Sequence, residues 1–158
     1  MSLNDHIMQR RQFLRVVGGS SIAAATLPLA GCSLSSEMPA AAVQAWAGPG
    51  AEPDVRRWIL GWAILAPHSH NLQSWLVDLS KADEITLYCD RTRLLPETDP
   101  LSRQMMMSQG TFLELLDIAA RERGLRADIE LFPDGEFGPV VVDARPTARI
   151  RLVRDATV

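Results

Sequence analysis

Apolar residues recur along this chain with two different periods, and each change of period marks a new element. Between Val55 and Ala66, Ile59, Trp62, Ala63 and Ala66 stand three or four apart, so they line one face of a helix and point into a core. Asp54, directly after Pro53, is suited to cap that helix, and Pro67 to stop it. "WLVDL" (75–79) and "EITLYC" (84–89) are short strand-like runs, and with only "SKAD" between them they predict a hairpin. After the turn-rich "DRTRLLPETDP" the helical period returns from Leu101 to about Arg123. It is apolar over most of its circumference through the middle, which predicts a buried central helix. Asp99 is expected as its cap, Pro100 as its first residue and Gly124 as its end. "ADIELFP" and "ARIRLVR", separated by the turn "DGEFG", read as further strands. The order helix, two strands, helix, strands makes the class α+β.

Composition supports a globular protein, with 47% hydrophobic and 22% charged residues among 158. A net charge of −3 argues against nucleic acid as a partner, because nucleic-acid binding leaves a basic footprint. Two cysteines in such different settings as Cys32 and Cys89 do not make a disulfide framework. Cys89 ends a strand and is expected as a small buried hydrophobe, and Met105, Met106 and Met107 as core filler.

The first 32 residues read as an address. Arg10, Arg11 and Arg15 precede a moderately apolar run from Val16 to Ala30 that is too short and too glycine- and serine-rich to span a bilayer. Arg10 and Arg11, followed by Gln12, Phe13 and Leu14, resemble a twin-arginine export signal, which implies the twin-arginine translocase as a partner and an exported, periplasmic location. "LAGC" resembles a lipobox, which implies lipidation at Cys32 and a membrane anchor. Residues 33–53, rich in Ser, Ala, Gly and Pro, read as a linker.

The chemistry concentrates in "LAPHSHNLQSW" (65–75), where three of the four tryptophans (58, 62 and 75) are also close by. A zinc site on His68 and His70 would need Cys89 or carboxylates to complete it, since the third histidine, His6, lies in the leader. We predict no metal. Ser69 lacks the Gly-x-Ser-x-Gly setting of a nucleophile. Ser69 and Asn71 are also residue types that cap turns, and that reading stays open beside a ligand-binding one. For Arg91, Arg93 and Arg103, ion pairs with Asp90, Glu97 or Asp99 compete with an anion-binding role.

This stretch resembles the nitroreductase family of FMN enzymes, in which a helix is followed by Ala-Pro-Ser-x-x-Asn-x-Gln-Pro-Trp and a strand. Ala66, Pro67, Asn71, Gln73 and Trp75 match, with Ser74 where the second proline lies. Asp90, Arg91, Leu95, Pro96, Asp99, Pro100, Arg103, Ser108 and Gly110 resemble the Acg-like branch of that family. The resemblance implies a nitroreductase-like fold, helices packed on a mainly antiparallel sheet, with FMN as cofactor. It places Ser69, Asn71 and Gln73 near the flavin, Trp75 against a ring face, and Arg103 as a phosphate or nicotinamide contact. The implied activity is electron transfer from a reduced nicotinamide or other donor to a nitro- or quinone-type small molecule. A non-catalytic flavin-binding or sequestering lipoprotein is the alternative. The usual Arg-Arg-Ser-x-Arg phosphate cluster is missing, as Arg56 and Arg57 have no following serine. Branch members are about twice this length and hold two fused halves. Residues 54–158 are therefore expected to be the N-terminal half of an incomplete fold, its site completed by a C-terminal half or a second subunit.

Overall fold

The computed structural model describes residues 38–139 and 142–158. Arg10, Arg11 and Cys32 lie outside the described residues. A short helix, α1 (Ala40–Val43), continues as a 3-10 turn over Gln44–Ala47 within the stretch expected as a linker. It leads to α2 (Val55–Ala63), whose N-cap is Asp54: the carboxylate accepts from the Arg56 backbone N–H at 2.9 Å. Gly48 must be a glycine here. Its φ is +74°, and a Cβ would come within 2.5 Å of the Trp62 ring.

Four strands follow the loop after α2: β1 (Trp75–Asp78), β2 (Glu84–Cys89), β3 (Leu125–Leu131) and β4 (Ala148–Arg154). They form one antiparallel sheet in the order β1-β2-β4-β3. The expected hairpin is β1–β2, with Trp75 opposite Cys89 and Asp78 opposite Thr86. β4 enters between β2 and β3, pairing Ile150 with Ile85 on one side and with Ile129 on the other. The long helix α3 (Arg103–Arg121) precedes β3.

Alternation along the strands sends Ile85, Leu87, Ala148 and Ile150 into one core cluster with Ile59 and Ala63 of α2 and Phe112, Leu116 and Ala120 of α3. The opposite sheet face is ionic. Glu84 is buried there between Lys81 at 3.1 Å, Arg149 at 3.6 Å and Arg151 at 3.8 Å, and the hydrogen bond from Lys81 is the main cause of its lowered pKa. Arg149 also pairs with Glu130 at 3.2 Å. One face buries apolar surface and the other satisfies charge, so this is a two-layer α+β fold compatible with a nitroreductase-like one.

Two expectations need correction. α3 begins at Arg103, not at Pro100; Ser102 before it sits in the left-handed region at φ 52°. Asp99 caps the helix from further back, its two carboxylate oxygens accepting from the Arg103 and Met105 backbone N–H groups at 2.9 and 3.1 Å. Of the three methionines only Met105 is core, whereas Met107 is 72% exposed. Trp62 packs against the core cluster as expected, partly buried beside Trp58. Among the described residues no helix is long and apolar enough to cross a membrane.

Candidate functional site

The loop between α2 and β1 bends sharply. Ser69–Asn71 form a 3-10 turn, and His70, Asn71 and Gln73 all have φ between +50° and +52°. Left-handed backbone costs free energy at any residue with a Cβ, so a chain holds three such residues in four positions only where its surroundings over-determine them. Those surroundings come from three sides. From α3, Ser108 Oγ accepts from the Ser69 backbone N–H at 3.0 Å, Thr111 Oγ1 donates to the Pro67 carbonyl at 2.7 Å, and Gln109 Nε2 donates to the Ser74 carbonyl at 3.1 Å. From the turn after β2, Arg93 Nη1 donates to the Leu72 carbonyl at 2.7 Å, and the Asp90 backbone N–H donates to the Ser74 carbonyl at 2.9 Å. From β4's start, Thr147 Oγ1 reaches the Gln109 carbonyl oxygen, Oε1, at 3.2 Å.

The histidines differ. His70 is exposed, while His68 is committed at both ring nitrogens: Nδ1 lies 2.8 Å from the Ser69 carbonyl and Nε2 lies 2.7 Å from Ser74 Oγ. Its ring also packs edge-on against Trp75, with centroids 5.1 Å apart. Both nitrogens therefore have structural work, and among the described residues no three His, Cys, Asp or Glu side chains come together to hold a metal. Ser69 donates its hydroxyl to Gln104 Oε1 at 2.9 Å, which ties it to the start of α3 beside Arg103. That pair borders a shallow depression of about 260 Å³ shared with Pro67, His68, Met107, Ser108 and Thr111.

Asn71 and Gln73 stand apart from this network. Both are exposed, and neither side-chain amide is hydrogen-bonded to another described residue; their backbones are used, the Asn71 N–H donating to the His68 carbonyl at 3.0 Å and the Gln73 carbonyl accepting from Arg93 at 3.4 Å. The loop is held through its backbone and its other side chains, leaving these two amides available. Trp75 is differently placed from the expectation of a ring shielding a ligand. Its Nε1 donates to the Ser108 carbonyl at 3.2 Å and its ring lies 5.0 Å from that of Phe112, so the indole is part of the protein's own packing. The Arg103 side chain is exposed and forms no ion pair with a described residue; Asp90 is taken by Arg93 at 3.2 Å. Cys89 is buried as expected, and that burial pushes its thiol pKa up.

Arg56 has a structural role. Its guanidinium bonds Asp54 and donates to the carbonyls of Leu79 and Lys81 at 3.1 and 2.8 Å, clamping the β1–β2 turn. Gln104, Gln109, Thr111 and Thr147 were missed in the sequence. The available signal was Gln109, a polar residue in the apolar middle of a helix, now 3% exposed.

No protein-family model matches the chain. It is similar to two curated relatives, both called "Putative NAD(P)H nitroreductase acg", from Mycobacterium tuberculosis strains CDC 1551 / Oshkosh and ATCC 25618 / H37Rv. Each is 30% identical over 81 residues, which is 51% of this chain and 24% of the relative. The chain thus matches about a quarter of the length of these relatives.

Proposed function

We propose that residues 54–158 carry part of an FMN-binding, nitroreductase-like oxidoreductase, with the loop 67–74 as the chain's contribution to the flavin site. The observation that carries this reading is the pair of exposed side-chain amides at Asn71 and Gln73, which bond no other described residue and are presented from left-handed backbone on a loop fixed by others. Amide side chains both donate and accept, which suits the carbonyl and N–H edge of an isoalloxazine ring. The likeness to a nitroreductase over half the chain supports the same reading.

Asn71 and Gln73 would hold the ring edge, and Ser69, with Arg103 nearby, would meet the polar side chain of the cofactor. The chemistry that bound FMN would supply is hydride uptake from a reduced donor and electron delivery to a nitro- or quinone-type acceptor. The chain's own residues orient it, and no side-chain nucleophile is required. Arg56 is committed to the β1–β2 turn, so the phosphate group and the remainder of the site are assigned to chain beyond these residues or to a second subunit. Export through the twin-arginine route on Arg10 and Arg11, with lipidation at Cys32, completes the proposal and places the protein in the periplasm.

The missing phosphate cluster also favours a second reading, a flavin-sequestering protein without turnover. Asn71→Ala and Gln73→Ala in the complete protein test the site: unchanged flavin affinity in both would reject it. Oxidation of a reduced nicotinamide with a nitroaromatic or quinone acceptor separates enzyme from sequestering protein.

A further inference from the structure

Within the motif Ala-Pro-Ser-x-x-Asn-x-Gln-Pro-Trp, this chain departs at two of the specified positions: His68 stands for the serine and Ser74 for the second proline. The structure bonds these two departures to each other. His68 Nδ1 lies 2.8 Å from the Ser69 carbonyl, which only accepts, so the ring proton is on Nδ1. Nε2 is then an acceptor in the neutral ring. It receives the Ser74 backbone N–H at 3.2 Å and faces Ser74 Oγ at 2.7 Å. A proline at position 74 has no N–H to offer.

We propose that His68 and Ser74 form a proton-sensitive latch that holds the loop bearing Asn71 and Gln73 in its binding shape, closed with neutral imidazole and released on protonation. Protonated Nε2 would point an N–H at the Ser74 N–H. The serine hydroxyl can turn to accept instead, but the backbone group cannot. Ser74 is fully buried, so its N–H would be left without an acceptor and without water.

The Ser69 carbonyl and the Ser74 hydroxyl would accept the two N–H groups of an imidazolium, so the cost falls on the Ser74 backbone N–H, and the described groups around the ring offer no anion to offset it. Ser69 and Ser74 of the loop and Trp75 of β1 are uncharged. Beyond Ser74 Oγ lie Met105 Sδ of α3 at 3.5 Å and Cys89 Sγ of β2 at 3.9 Å; burial holds that thiol neutral. Gln104, Met107, Ser108 and Thr111 of α3 line the depression beside the ring and carry no charge. Asp90 and Arg93 face the loop backbone from the other side and pair with each other at 3.2 Å. His70 is exposed on the same loop and is kept in every variant below.

The latch deepens the proposed flavin site as its regulation, but it can be read without flavin. The measurement is NMR of the 158-residue chain from about pH 8 to about pH 5, the range in which imidazoles change charge, with the FMN affinity of the complete protein followed in parallel. We expect the Ser74 amide and the amides of 69–73 to shift together with the His68 ring and to lose exchange protection in acid. FMN affinity should fall about tenfold beyond any fall seen in His68→Gln, the fold-change of one lost hydrogen bond. His68→Gln should abolish the coupled titration. If that variant does not fold, Ser74→Pro serves, since it removes the N–H and restores the motif residue. A coupled titration in this chain, with no FMN binding at any pH by the complete protein, upholds the latch and rejects the flavin reading. Loop amides that ignore the His68 titration overturn the latch, whatever FMN does, and so does FMN affinity with the same pH dependence in wild type and variant.

Discussion

The two halves of α3 do different work. From Arg103 to Gly110 the buried or partly buried residues include Ser108 and Gln109, which bond the 67–74 loop directly, as Thr111 does one residue further on. From Phe112 to Ala120 the buried residues are apolar and close the core against the sheet. Apolar contact is non-directional, so the second half fixes where the helix lies but not the conformation of anything it touches. Hydrogen bonds are directional, so the first half can hold a neighbouring loop in backbone conformations that it would otherwise leave.

That contrast can be broken from either end. Phe112→Ala should cost about 3–5 kcal/mol of stability through the cavity it leaves, read as a lower denaturant midpoint. Gln109→Leu should cost about 1–3 kcal/mol and, unlike Phe112→Ala, raise amide exchange selectively over 68–74, because the Ser74 carbonyl and Thr147 lose a partner. Equal exchange throughout the chain in both variants would refute the division of labour. Asp54→Ala should cost about 1 kcal/mol as a lost helix cap. The Arg56 guanidinium holds the Asp54 carboxyl below the usual carboxylate range, so its stabilisation is present above that range and lost as pH falls through the lowered value. The acid limb of a stability–pH curve should therefore be shallower in Asp54→Ala than in wild type. Smallest of all, Asn71→Ala should cost about 0.5–1 kcal/mol, because alanine tolerates the left-handed backbone at this position less well than asparagine does. A larger loss in thermal or chemical unfolding would mean that Asn71 is structural, and the site would have to be redrawn.

Much of the fold was legible because it follows from periodicity. Ile59, Ala63 and Ala66 are buried at the predicted helical spacing, and "EITLYC" and "ARIRLVR" are strands with the predicted limits. The start of α3 was misplaced because Pro100 at a first helical position and Asp99 as an immediate cap look the same in sequence as a cap acting across a turn. Met105, Met106 and Met107 were equivalent on paper, and the rotation of α3 exposed one of them. For the site, Ser69, Asn71 and Gln73 were legible as candidates from their residue types and motif. Their separation into a tied serine and two amides that bond no other described residue was not, since the tie depends on Gln104, which lies far along the chain.

Local order alone therefore determined the element types, the core-facing stripes, the capping role of Asp54 and the concentration of polar chemistry between α2 and β1, because each depends on neighbours within a few residues. Tertiary structure decided that His68 serves Ser74, that Trp75 faces inward to Ser108 and Phe112, and that Arg56 clamps a turn. Each of these rests on bonds or contacts between groups brought together only when the loop, α3 and the sheet meet, and no periodicity along the chain encodes that meeting.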